Sequence, residues 1–131
     1  MFVDASALCA VLLSEPDGAA LDTIIALSPR KQTSAVAVFE TVLAVARSMG
    51  GDVSMARRDV GDYLAVSDIE LVSIGEDEMT RALDAFDRFG KGRHPARLNM
   101  GDCFAYACAK TRGVPLLFKG DDFSQTDVAI A

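Results

Sequence analysis

The sequence predicts an α/β fold, with helices layered on both faces of a mostly parallel central sheet. Three observations carry that expectation. Phe2-Val3 and Pro115–Phe118 are short apolar stretches, each halted by a charged residue, as buried strands are. Ile69–Ile74 alternates apolar with polar or acidic residues. Helical stretches separate these strands along most of the chain, and parallel pairing requires such crossovers. With 131 residues, half of them hydrophobic, the chain has material for one core, so a single domain over 1–131 is expected.

The elements follow in order. Residues 1–4 read as a buried strand. Ala5–Leu13 contains helix formers and runs into Ser14-Glu15-Pro16, a stop. Asp17 is placed to cap a second helix through Ser28, closed by Pro29. Gln32-Thr33-Ser34 is a short link or strand. Ala35–Met49 is a long apolar helix ended by Gly50-Gly51. A fourth helix runs from Asp52-Val53-Ser54 to about Ser67, and the strand at Ile69–Ile74 follows. Glu76–Phe89 is a helix with acids in its first turn, where the helix dipole favours them. Residues 90–101 form a Gly-, Pro- and Arg-rich loop. Asp102–Arg112 is a helix with Gly113 as its C-cap, followed by the strand at Pro115–Phe118. Gly120–Phe123 is a turn, and Asp127–Ile130 is a final strand.

Ligands of open parallel sheets bind beyond the carboxyl ends of the strands. Asp4 lies just past the first strand and Lys119–Asp122 just past a later one, which puts them on one edge.

Composition excludes several classes. No apolar run has the ~18–20 residues of a membrane span, and no basic segment precedes an apolar N-terminal stretch. A cytoplasmic protein is expected. Cys9, Cys103 and Cys108 are an odd set without zinc-site spacing, and His94 is the single histidine. They read as reduced, mostly buried thiols. The net charge is −6, unfavourable for contact with phosphates, but RFGKGRHPAR from Arg88 to Arg97 holds four cations and no acid. Two divalent ions on the protein would bring the total to about −2.

The most informative feature is the setting of three acids. Asp4 is the only charge between Met1 and Ser14, Glu40 between Thr33 and Ala46, and Asp102 between Met100 and Ala109. None has a basic residue within four positions, so no helix-face ion pair is available. Burying a lone carboxylate costs several kcal/mol, as an order of magnitude, unless something answers it. Capping would serve Asp4 ahead of Ala5, and Asp102 after Gly101. Glu40 is mid-helix and would have to reach solvent. Alternatively all three converge on a divalent cation, and carboxylate oxygens without His or Cys favour Mg²⁺ or Mn²⁺ over zinc. The Asp121-Asp122 turn is a fourth acidic group, readable as a solvated turn or as part of the same pocket. His94 reads as a loop residue.

These residues also carry a resemblance. FVDASAL, with Asp4 and Ser6, SAVAVFETVLAVA with Glu40, NMGDCFAYACAK with Asp102 and GVPLLFKGDDFSQTDV resemble four motifs of the VapC toxins of the PIN-domain ribonucleases. The resemblance spans residue 2 to about residue 128. It implies a PIN-like three-layer α/β/α sandwich and a Mg²⁺- or Mn²⁺-dependent endoribonuclease, the toxin of a type II toxin–antitoxin pair. It also implies a homodimer, a cognate VapB-like antitoxin and an RNA substrate (tRNA, rRNA or mRNA). Asp4 and Asp102 would hold the metal, with Glu40 and Asp121 completing the acidic site. Asp121 is favoured over Asp122, because Asp122 precedes Phe123 and could instead fix the turn. Ser6 would orient a carboxylate or a bound water. Arg93 and Arg97 are the candidates for gripping RNA phosphates.

Two rivals belong to other classes. A receiver-like phosphoryl-acceptor domain also uses strand-end carboxylates, Mg²⁺ and a lysine, but needs an early adjacent acid pair where this chain has only Asp4. Labelling by a phosphodonor separates it. A catalytically inactive PIN-like protein-binding module would lack metal-dependent RNA cleavage, and acids at all four motif positions speak against it.

Overall fold

A computed structural model describes residues 1–131. The elements are β1 (Phe2–Val3), α1 (Ala5–Leu12), α2 (Gly18–Leu27), β2 (Lys31–Ser34), α3 (Ala35–Ser48), α4 (Val53–Val66), β3 (Ile69–Val72), α5 (Glu76–Phe89), α6 (Met100–Arg112) and β4 (Leu116–Leu117). A 3₁₀ turn follows at Asp122–Gln125. The four strands form one sheet in the order β3-β2-β1-β4, and every pairing is parallel. Parallel pairing throughout is stricter than the mostly parallel sheet expected.

Strand alternation sorts the core into two faces. Phe2, Val72 and Leu116 pack with Ala82, Ala85 and Phe89 of α5 and Cys103, Ala107 and Cys108 of α6. Val3, Ile69 and Leu117 turn the other way, onto Ala7, Leu8 and Ala10 of α1 and Leu21 and Ile25 of α2. The sheet is therefore the middle of three layers. A third cluster, with Val42, Val45, Ala46, Ala56 and Val60, joins α3 to α4.

Strand order reverses at β1, which pairs with β2 on one side and with the late strand β4 on the other. Open parallel sheets leave a crevice at such a reversal, outside the carboxyl ends of the strands. Asp4 stands at that point.

β2 is a true strand, although its sequence Lys-Gln-Thr-Ser is unlike the apolar runs usual for central parallel strands. Its polar groups are answered within the sheet. Thr33 Oγ1 donates to the Val3 carbonyl at 2.9 Å, and Gln32 Nε2 donates to Glu70 Oε2 at 3.1 Å.

Strands β1 and β4 are each shorter than expected by one residue at either end, and three other boundaries depart further. Helix α6 begins at Met100, two residues before Asp102, because Asn99 supplies the cap. β3 stops at Val72 rather than at Ile74. The segment expected as a strand at Asp127–Ile130 makes one bridge only, Ile130 to Leu116. Asp127 is instead drawn sideways by the Tyr106 hydroxyl and by Lys110, both on α6.

Candidate active site

Each acid is placed by a local rule. Asp4 ends β1 and caps α1, and its carboxylate is buried. Both of its hydrogen bonds fall on Oδ2, from the Ser6 N–H at 2.9 Å and the Ser6 hydroxyl at 2.6 Å. Ser6 Oγ in turn accepts the Lys119 N–H at 3.0 Å, so the end of β4 is tied to the start of α1.

Asp102 sits at the third position of α6 in a reciprocal box with Asn99. The Asn99 N–H donates to Asp102 Oδ2 at 2.7 Å, and the Asp102 N–H donates to Asn99 Oδ1 at 3.1 Å. That box aims the carboxylate and leaves Oδ1 without a hydrogen bond.

Glu40 projects from the middle of α3 and makes no hydrogen bond or ion pair. Its carboxylate lies against the backbone of Gly101 at the start of α6. A Cβ at Gly101 would collide with both Oε1 and Oε2. Only a residue without a side chain admits Glu40 to this place.

The electrostatics show that the acids share a neighbourhood. Burial raises the Glu40 pKa to about 7, with the charges of Asp4 and Asp102 adding to it. Burial also raises Asp102 to about 6 against the Asn99 hydrogen bond, and Asp4 and Asp122 push it further. Burial raises Asp4, opposed by the bonds from Ser6 and aided by the charge of Asp122. Like charges in poorly solvated surroundings disfavour joint ionisation. No cation of the chain relieves them, since Asp4, Glu40, Asp102, Asp121 and Asp122 take no part in its ion pairs.

Asp4, Glu40 and Asp102 are thus brought together as the sequence suggests. At the 120–123 turn Asp121 and Asp122 are both exposed. The charge of Asp122, not that of Asp121, is among those raising Asp4 and Asp102. Gly120 at φ +99° turns the chain, and buried Phe123 locks it against Phe118 at 4.9 Å between ring centres. Asp122 begins the 3₁₀ turn and shares the anchorage of Phe123 rather than substituting for it.

The basic loop is less free than its sequence suggests. Arg93 pairs with Asp87 at 2.9 Å and lies over the Phe86 ring. Arg88 is 3.5 Å from Asp127 and lies over Phe89. Arg97 is exposed, forms no ion pair and holds a left-handed backbone at φ +55° just before Asn99. Among non-glycine residues that conformation is uncommon and costs free energy.

The donor set suits a hard divalent cation. Both Glu40 oxygens and Oδ1 of Asp102 are without hydrogen bonds, and every available donor is oxygen. The side chains do not stand in a closed cage, for no three of the His, Cys, Asp and Glu groups are poised around one point. Asp4 and Asp102 are the pair whose orientation is already fixed. Two further residues, Asn99 and Gly101, shape this site. The Asn-x-x-Asp spacing of the capping box was a readable signal for Asn99. No local signal marks Gly101, because its role depends on a helix sixty residues earlier.

Three sets of comparisons bear on this geometry. The PIN domain family model matches residues 1–129. The chain is 41% identical to Ribonuclease VapC of Mycolicibacterium smegmatis over 98% of each sequence. It is 39% identical to a VapC ribonuclease of Rhizobium meliloti, covering 97% of this chain and 98% of that one. Among solved structures it resembles VapC20 of Mycobacterium tuberculosis, described as a Sarcin-Ricin loop cleaving toxin. The TM-score is 0.78 at 18% identity, covering 99% of this chain and 97% of that one. A toxin–antitoxin complex from Klebsiella pneumoniae matches with a TM-score of 0.70 at 15% identity, covering 99% and 95%. At such identities the two structures support the fold, while the family rests on the full-length sequence relatives. The chain belongs to the PIN-domain family, among its VapC ribonucleases.

Proposed function

We propose that this chain, as a single PIN-like domain over residues 1–131, is a Mg²⁺- or Mn²⁺-dependent endoribonuclease and the toxin of a type II toxin–antitoxin pair. The observation that carries the reading is Glu40 lying against Gly101, beside Asp102, with the charge of Asp4 bearing on both and no cation of the chain to offset them. A family likeness over the whole chain gives that meeting its chemistry.

Asp4 and Asp102 hold the metal, each kept in orientation by the bonds from Ser6 and Asn99. When bound, a divalent cation supplies a Lewis acid for the phosphodiester and a more acidic water. Glu40 orients the attacking water from its place against Gly101. Asp122 closes the acidic side in place of Asp121. Arg97, and more weakly Arg93, grip the RNA backbone outside the chemistry.

A VapB-like antitoxin is the cognate partner. An open groove of about 530 Å³ runs along α3, lined by Val36, Phe39, Glu40, Leu43, Arg47 and Met100. A partner helix laid there would bring a basic side chain to the carboxylates. A second groove between α5 and α6, lined by Met79, Leu83, Phe86, Met100 and Phe104, supports a homodimer. No helix is long and apolar enough to cross a membrane, and the reading places the protein in the cytoplasm.

The test is RNA cleavage by the purified chain with Mn²⁺, with Mg²⁺ and with a chelator. Cleavage that requires the ion, and is lost in Asp4→Asn, is the expected result. Cleavage that persists in chelator, or no cleavage of a total RNA pool, would overturn the reading.

A further inference from the structure

Lys119 grips α1 near both of its ends. Its backbone N–H donates to Ser6 Oγ at 3.0 Å, beside the N-cap. Its ammonium group bonds the Glu15 carboxylate and lies 3.5 Å from Asp17 Oδ2, in the turn after α1. Glu15 and Asp17 are more than a hundred residues away in sequence, so the contact is made by the fold alone.

The consequences run in two directions. A serine hydroxyl has one proton to give. The Ser6 oxygen already accepts from Lys119, and its hydroxyl donates to Asp4 Oδ2 with the two oxygens 2.6 Å apart. The backbone of Lys119 therefore sets the rotor that orients the buried acid. On its other side Lys119 enters the turn through Gly120, a left-handed position with wide backbone freedom. Phe123 anchors the far side of that turn, and Lys119 anchors the near side.

We propose that Lys119, clamped by Glu15 and Asp17, is a positioning residue that holds Ser6 and the Asp122 turn in place and so strengthens divalent-cation binding by the acid site. The proposal rests on the metal reading above. Lys119 takes no part in the chemistry, because its ammonium group is spent on Glu15.

The sign of the effect separates this role from simple charge. Removing a cation near an acidic site should tighten metal binding through space. Removing a clamp should weaken it. The ion pair is about one-third exposed on each side, with side-chain exposures of 32% and 34%, so it is sheltered from full screening.

Mn²⁺ binding to the full chain, measured by titration calorimetry, tests the proposal. Lys119→Met is expected to weaken Mn²⁺ about tenfold, as loss of a partner behind metal ligands does. Glu15→Gln should weaken it in the same direction, and the double variant should be little worse than either single one. Lys119→Arg should recover most of the loss. The rise in melting temperature on adding Mn²⁺ should shrink in Lys119→Met, whereas a merely structural residue lowers both melts equally. Unchanged or tighter Mn²⁺ binding by folded Lys119→Met overturns the proposal and leaves the metal reading standing. If that variant does not fold, unchanged binding by Glu15→Gln overturns it instead. A wild type that binds no Mn²⁺ removes the metal reading, and this proposal with it.

Discussion

Helices α5 and α6 open with one hydrogen bond in common and give opposite electrostatic results. Glu78 is the third residue of α5 and accepts the Gly75 N–H at 2.8 Å. Asp102 is the third residue of α6 and accepts the Asn99 N–H at 2.7 Å. At Glu78 that hydrogen bond outweighs burial, and Arg112 at 2.8 Å adds to it, so the pKa is lowered. At Asp102 burial wins, Asp4 and Asp122 add to it, and the pKa rises to about 6. Capping is therefore no guide to function. A capped carboxylate with a guanidinium beside it has its charge answered, whereas one with further carboxylates beside it has not.

Neutralising each acid should separate the two most sharply. Asp102→Asn and Asp4→Asn are expected to reduce cleavage by at least about a hundredfold while the melting temperature holds or rises, since one repelling charge is gone. Glu78→Gln should do the reverse, with cleavage within about twofold of wild type and stability lower by about 2 kcal/mol from the weakened Arg112 contact. Cleavage assays beside urea melts read both outcomes. Full activity in Asp102→Asn would place Asp102 with Glu78 as a structural acid.

The neighbouring glycines extend the comparison. A Cβ at Gly101 collides with the Glu40 carboxylate, the free end of a flexible side chain, which must swing aside. Gly101→Ala should cost about tenfold or more in kcat, with stability unchanged or raised by up to about 1 kcal/mol from helix propensity. A Cβ at Gly75 meets only Glu78 Oε2, at an ordinary 3.5 Å. Gly75→Ala should leave the rate untouched. Equal rates in the two variants would show that Glu40 is not held where cleavage needs it.

The two groups of acids should also respond to pH with opposite signs. Glu40 near 7 and Asp102 near 6 hold protons more tightly folded than unfolded. Without metal, their contribution is greatest at low pH and is lost as pH rises from about 4 to about 7, by roughly 1–2 kcal/mol after allowing for solvent screening. Glu78 and Asp127 are lowered, so what they contribute is present above their unfolded values and lost as pH falls through the folded ones. Urea melts in chelator across this range should show the first slope, and Glu40→Gln should flatten it. Stability that climbs from pH 5 to pH 7 would contradict the assignment.

The smallest effect concerns RNA. Arg97→Ala should raise KM a few-fold and flatten the salt dependence by about 0.7 in log–log slope, with kcat unchanged. Arg93→Ala should do less, because Asp87 already holds that guanidinium. A collapse of kcat in Arg97→Ala would make it a transition-state group.

Much of this was legible along the chain. The helix stops, the apolar strands at β1 and β4 and the isolation of Asp4, Glu40 and Asp102 from local cations are properties of neighbours in sequence. Gln32-Thr33-Ser34 reads equally as link or strand in the sequence because its polar residues find partners only across the sheet, at Val3 and Glu70. The strand expected at the C-terminus fell short because Tyr106 and Lys110 compete for Asp127.

The sequence by itself determined the six helices, the apolar strands β1 and β4 and the isolation of Asp4, Glu40 and Asp102 from local cations, because periodicity, capping and charge spacing all act over a few residues. Tertiary structure alone decided the rest. It placed Gly101 against Glu40, spent Arg93 on Asp87 and joined Lys119 to Glu15. Each of those outcomes is a competition between side chains that meet in space, and the direction of a flexible charged group is set by whichever partner the fold brings within about 4 Å.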